Sequence, residues 1–168
     1  MQLMPAGRKH TAFVAPFAAL AIVVFSTTAA DASTPPPVPV SAQSKIRKTA
    51  GAEAYVPTRL VSGGHYRFRI WSFTKATKTL HIRFADLRFA LGTHPLYFTV
   101  APFRAPFARC ADGKQKTIQY DGNRVYSNGR EAWRCIAGPR GVVKVTTTGP
   151  HLPDVAFARV VASAKRIY

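Results

Sequence analysis

Apolar and polar positions alternate with a period of two after the Gly63-Gly64 turn, which predicts a half-buried strand over 65–73. On that reading Tyr66, Phe68 and Ile70 share one face, and His65, Arg67, Arg69 and Trp71 share the other. The same pattern returns with Leu80, Ile82 and Phe84 against His81 and Arg83. The polar run Lys75 to Lys78 joins the two segments as a hairpin turn. Because side chains alternate strictly along a strand, aligned apolar faces put the basic positions on one common face as well. A patch of Arg67, Arg69, Arg83 and the neighbouring histidines is expected.

A third strand is predicted at Leu96 to Val100, after the breaker Gly92 to Pro95. Pro102 and Pro106 interrupt regular pairing, so Phe103 to Phe107 belongs in a loop or at a sheet edge. The next region is punctuated by Asp121-Gly122-Asn123 and Asn128-Gly129, residues that accept the positive dihedrals of tight hairpins. It predicts a three-strand meander of Lys116 to Tyr120, Arg124 to Ser127 and Glu131 to Cys135. A β-branched strand, Val142 to Thr147, follows the Gly138-Pro139 turn.

The period then changes. From Pro153 to Ile167, the residues Phe157, Val160, Val161, Ala164 and Ile167 fall on one helical face. Pro153 and Asp154 suit the start of a helix, and Lys165-Arg166 suit the negative end of its dipole. The fold class that results is α+β: a curved antiparallel sheet of about six or seven strands covered by a C-terminal helix.

The first residues follow another grammar. Arg8 and Lys9 precede an uncharged apolar run from Ala12 to Phe25, and Ala30-Asp31-Ala32 supplies small residues where a signal peptidase reads. Residues 1–32 are therefore expected to be a bacterial-type secretory signal peptide cleaved after Ala32. The apolar run falls short of the roughly twenty residues that cross a bilayer comfortably, although a retained anchor is the rival reading. No cysteine near the cleavage site could carry a lipid. Residues 33–54, with Thr34-Pro35-Pro36-Pro37-Val38-Pro39 and a polar basic end, read as a disordered Pro-rich linker. The folded domain is placed at 55–168. The product is exported, to the periplasm or beyond, with no transmembrane segment after cleavage.

Export changes the meaning of the cysteines. Cys110 and Cys135 both lie in the mature part, so an oxidising compartment predicts that they pair. Charge changes the picture further, because the chain has 24 Lys and Arg against 7 Asp and Glu, a formal net charge of +17. Such an excess attracts polyanions. For an exported protein the fitting partners are an anionic envelope polymer, a lipid headgroup or an acidic protein, rather than a specific nucleic acid. A basic composition that serves solubility alone is the plainer alternative.

Tyr120 to Ile167 carries a strand, Gly turn and Trp strand in Val125-Tyr126-Ser127-Asn128-Gly129-Arg130-Glu131-Ala132-Trp133. Val142 to Thr147 and then Leu152-Pro153-Asp154-Val155, running into Val161-Ala162-Ser163, complete the pattern. This third of the chain resembles a family of uncharacterised extracytoplasmic bacterial domains, some linked to anti-sigma factors and lipoproteins. The resemblance implies a curved antiparallel sheet against a helix and an envelope binding or sensing role. It brings no catalytic residues, and the cysteine pair is not part of it.

Catalytic chemistry finds few footholds in the sequence. His65, His81, His94 and His151 form no local ligand pair, and no metal or cofactor is assigned. The acids outside the leader are Glu53, Asp86, Asp112, Asp121, Glu131 and Asp154; Asp112 and Asp121 precede turn glycines, and Asp154 opens the helix. No Gly-x-Ser-x-Gly elbow or phosphate-cradling glycine loop occurs. Aromatics interleaved with arginine, as in Tyr66-Arg67-Phe68-Arg69-Ile70-Trp71, favour a binding face with Arg67, Arg69 and Arg83 as its anion contacts. A small secreted hydrolase or wall-modifying enzyme, and an accessory subunit for an acidic protein, are the competing readings.

Overall fold

The computed structural model describes residues 35–62, 64–89, 93–111, 113–149 and 152–168. The expected signal segment 1–32 lies outside the described residues, as do Asp112 and His151. The architecture is α+β, with a seven-stranded antiparallel sheet, a C-terminal helix and the Cys110–Cys135 disulfide.

Two meanders build the sheet. The first consists of β2 (Tyr66–Thr74), β3 (Thr79–Asp86) and β4 (Leu96–Pro102). The second consists of β5 (Lys116–Tyr120), β6 (Asn123–Ser127), β7 (Glu131–Gly138) and β8 (Gly141–Thr148). They join where β4 pairs with β8, giving the order β2-β3-β4-β8-β7-β6-β5. The β5–β6 turn takes positive φ at Asp121 (47°) and Gly122 (71°), the conformation that made Asp-Gly readable as a hairpin turn.

The inner face carries Leu80, Ile82 and Phe84 of β3, Leu96, Phe98 and Val100 of β4, and Val143 and Val145 of β8, all buried. Helix α2 (Asp154–Ala162) lays Phe157, Ala158, Val160 and Val161 into the same core. At its start, Asp154 accepts a 2.6 Å hydrogen bond from the buried Ser127 hydroxyl and an ion pair from Lys116. These bonds hold the Asp154 carboxyl below its ordinary range.

The helix ends earlier than the sequence pattern suggests. It stops at Ala162, and Ala164–Arg166 forms β9, paired antiparallel with β1 (Tyr55–Pro57) in a separate two-stranded ribbon. Lys165 and Arg166 therefore lie on a strand rather than at a helix terminus. The ribbon offers these residues backbone partners that a last helical turn would leave unmet, including Thr58 N–H to the Ser163 carbonyl and Ile167 N–H to the Ala54 carbonyl.

Residues 33–54 also require correction. After the prolines, Val40–Ala50 forms helix α1, followed by a short 3-10 turn at Gly51–Glu53. Val38, Ala42, Ile46, Ala50 and Ala54 are buried in the main core. The spacing of four puts Ala42, Ile46 and Ala50 along one side of the helix, with Val38 and Ala54 buried just beyond its two ends, and covering that stripe outweighs the cost of ordering a Pro-rich segment. The compact unit accordingly runs from Thr34 to Tyr168 rather than from residue 55.

Candidate functional site

The sheet's second face is where the polar half of the alternation goes. Strand β2 does not alternate evenly: Phe68 pairs with Phe84, but the next partner of Arg83 is Ile70. Arg69 is the extra residue of a β-bulge, so Arg69 and Ile70 together stand against Arg83. Beyond the bulge the faces exchange. Trp71 and Phe73 pack against the core, and Ile70 is 61 % exposed on the outer side. Even alternation places Ile70 inward and Trp71 outward; the inserted residue reverses them, and two large aromatic side chains bury more apolar surface than one isoleucine.

The expected anion contacts fall in this neighbourhood. Arg67 faces outward opposite Ala85, Arg83 lies two positions along β3 on the same face, and the exposed Arg69 occupies the bulge between them. Arg67 donates to the backbone carbonyls of Gly64 and Tyr66, and among the described residues no acid forms an ion pair with it. His81 lies on the same face, with Nδ1 3.2 Å from Thr99 Oγ1. His65 stands before β2 instead, where its carbonyl accepts from Leu87 N–H.

Strands β4 and β8 extend this face with residues that were not singled out from the sequence. Opposite partners share a face, so the register defines two ranks across four strands. One runs Ile70, Arg83, Tyr97, Thr148, and the other Ser72, His81, Thr99, Thr146. The signal was present in Leu96-Tyr97-Phe98-Thr99-Val100 and Val143-Lys144-Val145-Thr146-Thr147, where every second residue is apolar or buried.

A margin borders the ranks. Over β7, a second small cluster joins Cys110, Trp133 and Cys135, with Phe103, Tyr126 and Val142 packed against it. The disulfide ties the turn at Phe107–Cys110 to β7, and the Lys144 ammonium sits 4.7 Å from the Trp133 ring centroid. Arg104 and Arg109 are exposed on this margin.

Three aspartates are held in ion pairs of their own. Asp86, at the end of β3, is buried and chelated by Arg88, with Oδ2 2.7 Å from the guanidinium and Oδ1 accepting from both Nε–H and the Arg88 backbone N–H. That hydrogen bonding outweighs burial and pulls the Asp86 carboxyl down to about 2. Burial, and then the adjacent Asp86 charge, raise the Tyr66 hydroxyl above its ordinary value. Asp121 pairs with Arg59 and Asp154 with Lys116. Glu131 reaches the outer face only at the β7 end of the first rank, opposite Thr148.

Among the described residues no three His, Cys, Asp or Glu side chains gather as a metal site. No helix among them is long and apolar enough to cross a membrane. A shallow cleft beside the β7–β8 turn is lined by Ala52, Glu53, Pro102, Arg140 and Val142. No family model, curated protein or solved structure matches the chain.

Proposed function

We propose that the protein is a non-enzymatic binding protein, exported to the periplasm or secreted, whose outer sheet face engages an anionic partner of the cell envelope. The observation that supports it is the segregation of charge around that face. Arg67, Arg69 and Arg83 cluster at the β2–β3 bulge, while Asp86, Asp121 and Asp154 are each taken up in an ion pair of their own. A positive surface with few local acids speeds encounter with a polyanion and holds it through charge-assisted contacts. Arginine suits the task because its planar fork meets carboxylate or phosphate bidentately.

The likeness of residues 120–167 to extracytoplasmic domains, and the leader-like start of the chain, support an envelope setting for this reading. The test is retention of the 33–168 protein on heparin or on vesicles containing an anionic lipid. Retention should weaken steeply between low and moderate salt, because exposed charges are screened over about 10 Å at 0.1 M. An Arg67→Ala, Arg69→Ala, Arg83→Ala variant with unchanged circular dichroism should lose at least about tenfold in affinity, each basic group being worth roughly 1 kcal/mol at an anionic surface. Equal retention by the variant would dismiss this patch, and no retention at low salt would dismiss the anionic partner altogether.

A further inference from the structure

The outer face holds more than charge, and its neutral groups narrow the choice of partner. Resting on the reading above, we infer that the face is a bed for an acidic polysaccharide, a carboxylate-bearing sugar chain lying across β2, β3, β4 and β8. The second rank presents Ser72, His81, Thr99 and Thr146 in register on four successive strands. Adjacent strands stand about 4.8 Å apart, so a hydroxyl or imidazole recurs at that interval over about 14 Å. Each hydroxyl both donates and accepts, and a neutral imidazole does the same with its two nitrogens. A polymer that carries hydroxyl groups at a short regular repeat can meet such a row with hydrogen bonds at several points.

The first rank supplies the complementary features. Ile70 and Tyr97 are 61 % and 40 % exposed and flank Arg83 on either side. They present apolar surface of the kind that sits under the C–H face of a sugar ring, beside a cation for its carboxylate. Arg67 and Arg69 continue the positive charge at one end of the bed, and Lys144 with the exposed Arg104 and Arg109 continue it at the other. The cations are therefore spread along the bed between neutral hydrogen-bonding groups, which matches a chain of moderate charge density. A membrane surface asks for something else, an apolar face large enough to enter the headgroup layer. Within the two ranks the exposed apolar side chains, Ile70 and Tyr97, are strand residues separated by Arg83 and set among hydroxyls, while the exposed Leu87, Phe89 and Phe107 lie on segments outside the ranks.

The experiment compares three probes, an alginate oligosaccharide, a polyphosphate of similar length and phosphatidylglycerol vesicles, by titration against the 33–168 protein. It adds a charge-preserving variant, Thr99→Val with Thr146→Val, and a separate Tyr97→Ala variant. Valine keeps the branched shape a strand favours while removing the hydroxyl. Alginate should bind, and the double valine variant should bind it about tenfold more weakly, as expected for two lost hydrogen bonds. Polyphosphate affinity should change less than about twofold in the same variant, because it reports the arginines alone. Tyr97→Ala should weaken alginate in the same selective way. Unchanged alginate binding in both variants would overturn the polysaccharide bed, as would tighter binding of polyphosphate or vesicles than of alginate, while leaving an anionic partner in place. If none of the three probes binds at low salt, the anionic face itself is refuted.

Discussion

The Trp133 indole Nε1–H donates a 2.8 Å hydrogen bond to the Cys110 carbonyl, so β7 grips the 103–110 segment twice, once through this ring and once through the disulfide at Cys135. The covalent link closes a loop of 25 residues in sequence separation, worth about 3.5 kcal/mol in the chain-entropy account. Replacing both cysteines by serine should lower unfolding stability by about 3 kcal/mol, read from urea titrations under oxidising conditions. Trp133→Phe keeps most of the ring but orphans the carbonyl, and should cost about 1–2 kcal/mol. Unfolding midpoints that stay put in both variants would mean that the margin is not held by these groups.

Helix α1 makes a prediction that separates a packed helix from a linker. Ile46 is wholly buried among the core residues. Ile46→Ala should destabilise the domain by about 2–4 kcal/mol, through lost apolar burial and the cavity left behind. Val40→Ala, at an exposed position on the same helix, should change stability by less than about 0.5 kcal/mol. A protein starting at residue 55 should be markedly less stable than one starting at residue 34, and equal stability would return the segment to linker status.

Asp86 predicts an acid dependence of definite sign. Its carboxyl is pulled down to about 2 from an ordinary 3.8, so the folded state favours the ionised form. The stabilisation is full above about pH 5, begins to fade as the unfolded chain takes up its proton near pH 4, and is gone below about pH 2. Asp154 shifts in the same direction and adds to the effect. Asp86→Asn should lower the unfolding midpoint clearly at pH 7, and the gap from wild type should narrow as pH falls from 4 toward 2. A gap that is constant across this range would show that the Arg88 pairing does not set it.

Much of the scaffold was legible because local signals agreed with one another. Leu80, Ile82 and Phe84 alternate with polar residues, Asp121-Gly122 accepts the turn its strands require, and the cysteines lie where β7 meets the 103–110 segment. Three features were illegible for separate physical reasons. Prolines dominate the composition just before α1, while the buried stripe of the helix itself, Ala42, Ile46 and Ala50, is made largely of small residues that carry weak hydrophobic signal. At the C-terminus, Ala164 and Ile167 continue the helical spacing of Phe157 and Val160, and only the distant partner β1 makes a strand there preferable. In β2 either alternation buries apolar groups, and the choice depends on a bulge that no residue type announces. Of the candidate site, the arginines were visible as an odd-numbered run, whereas the ranks needed the register between β4 and β8, which pairs residues distant in sequence such as Tyr97 with Thr148 and Thr99 with Thr146.

The bulge itself can be tested by deletion. If Arg69 is the inserted residue, its removal leaves Tyr66, Phe68, Trp71 and Phe73 still facing the core, because Ile70 then follows Phe68 in ordinary alternation and remains outside. The Arg69 deletion should therefore fold with a stability loss of no more than about 1 kcal/mol, the size expected for altered strand contacts at an exposed position. In an evenly alternating strand the same deletion would turn every residue after position 68 to the opposite face and expose what had been buried, with collapse of the sheet edge. Hydrogen exchange along β2 and β3, together with Trp71 fluorescence, distinguishes the outcomes. Retained protection and a buried indole fit the bulge, and loss of both contradicts it.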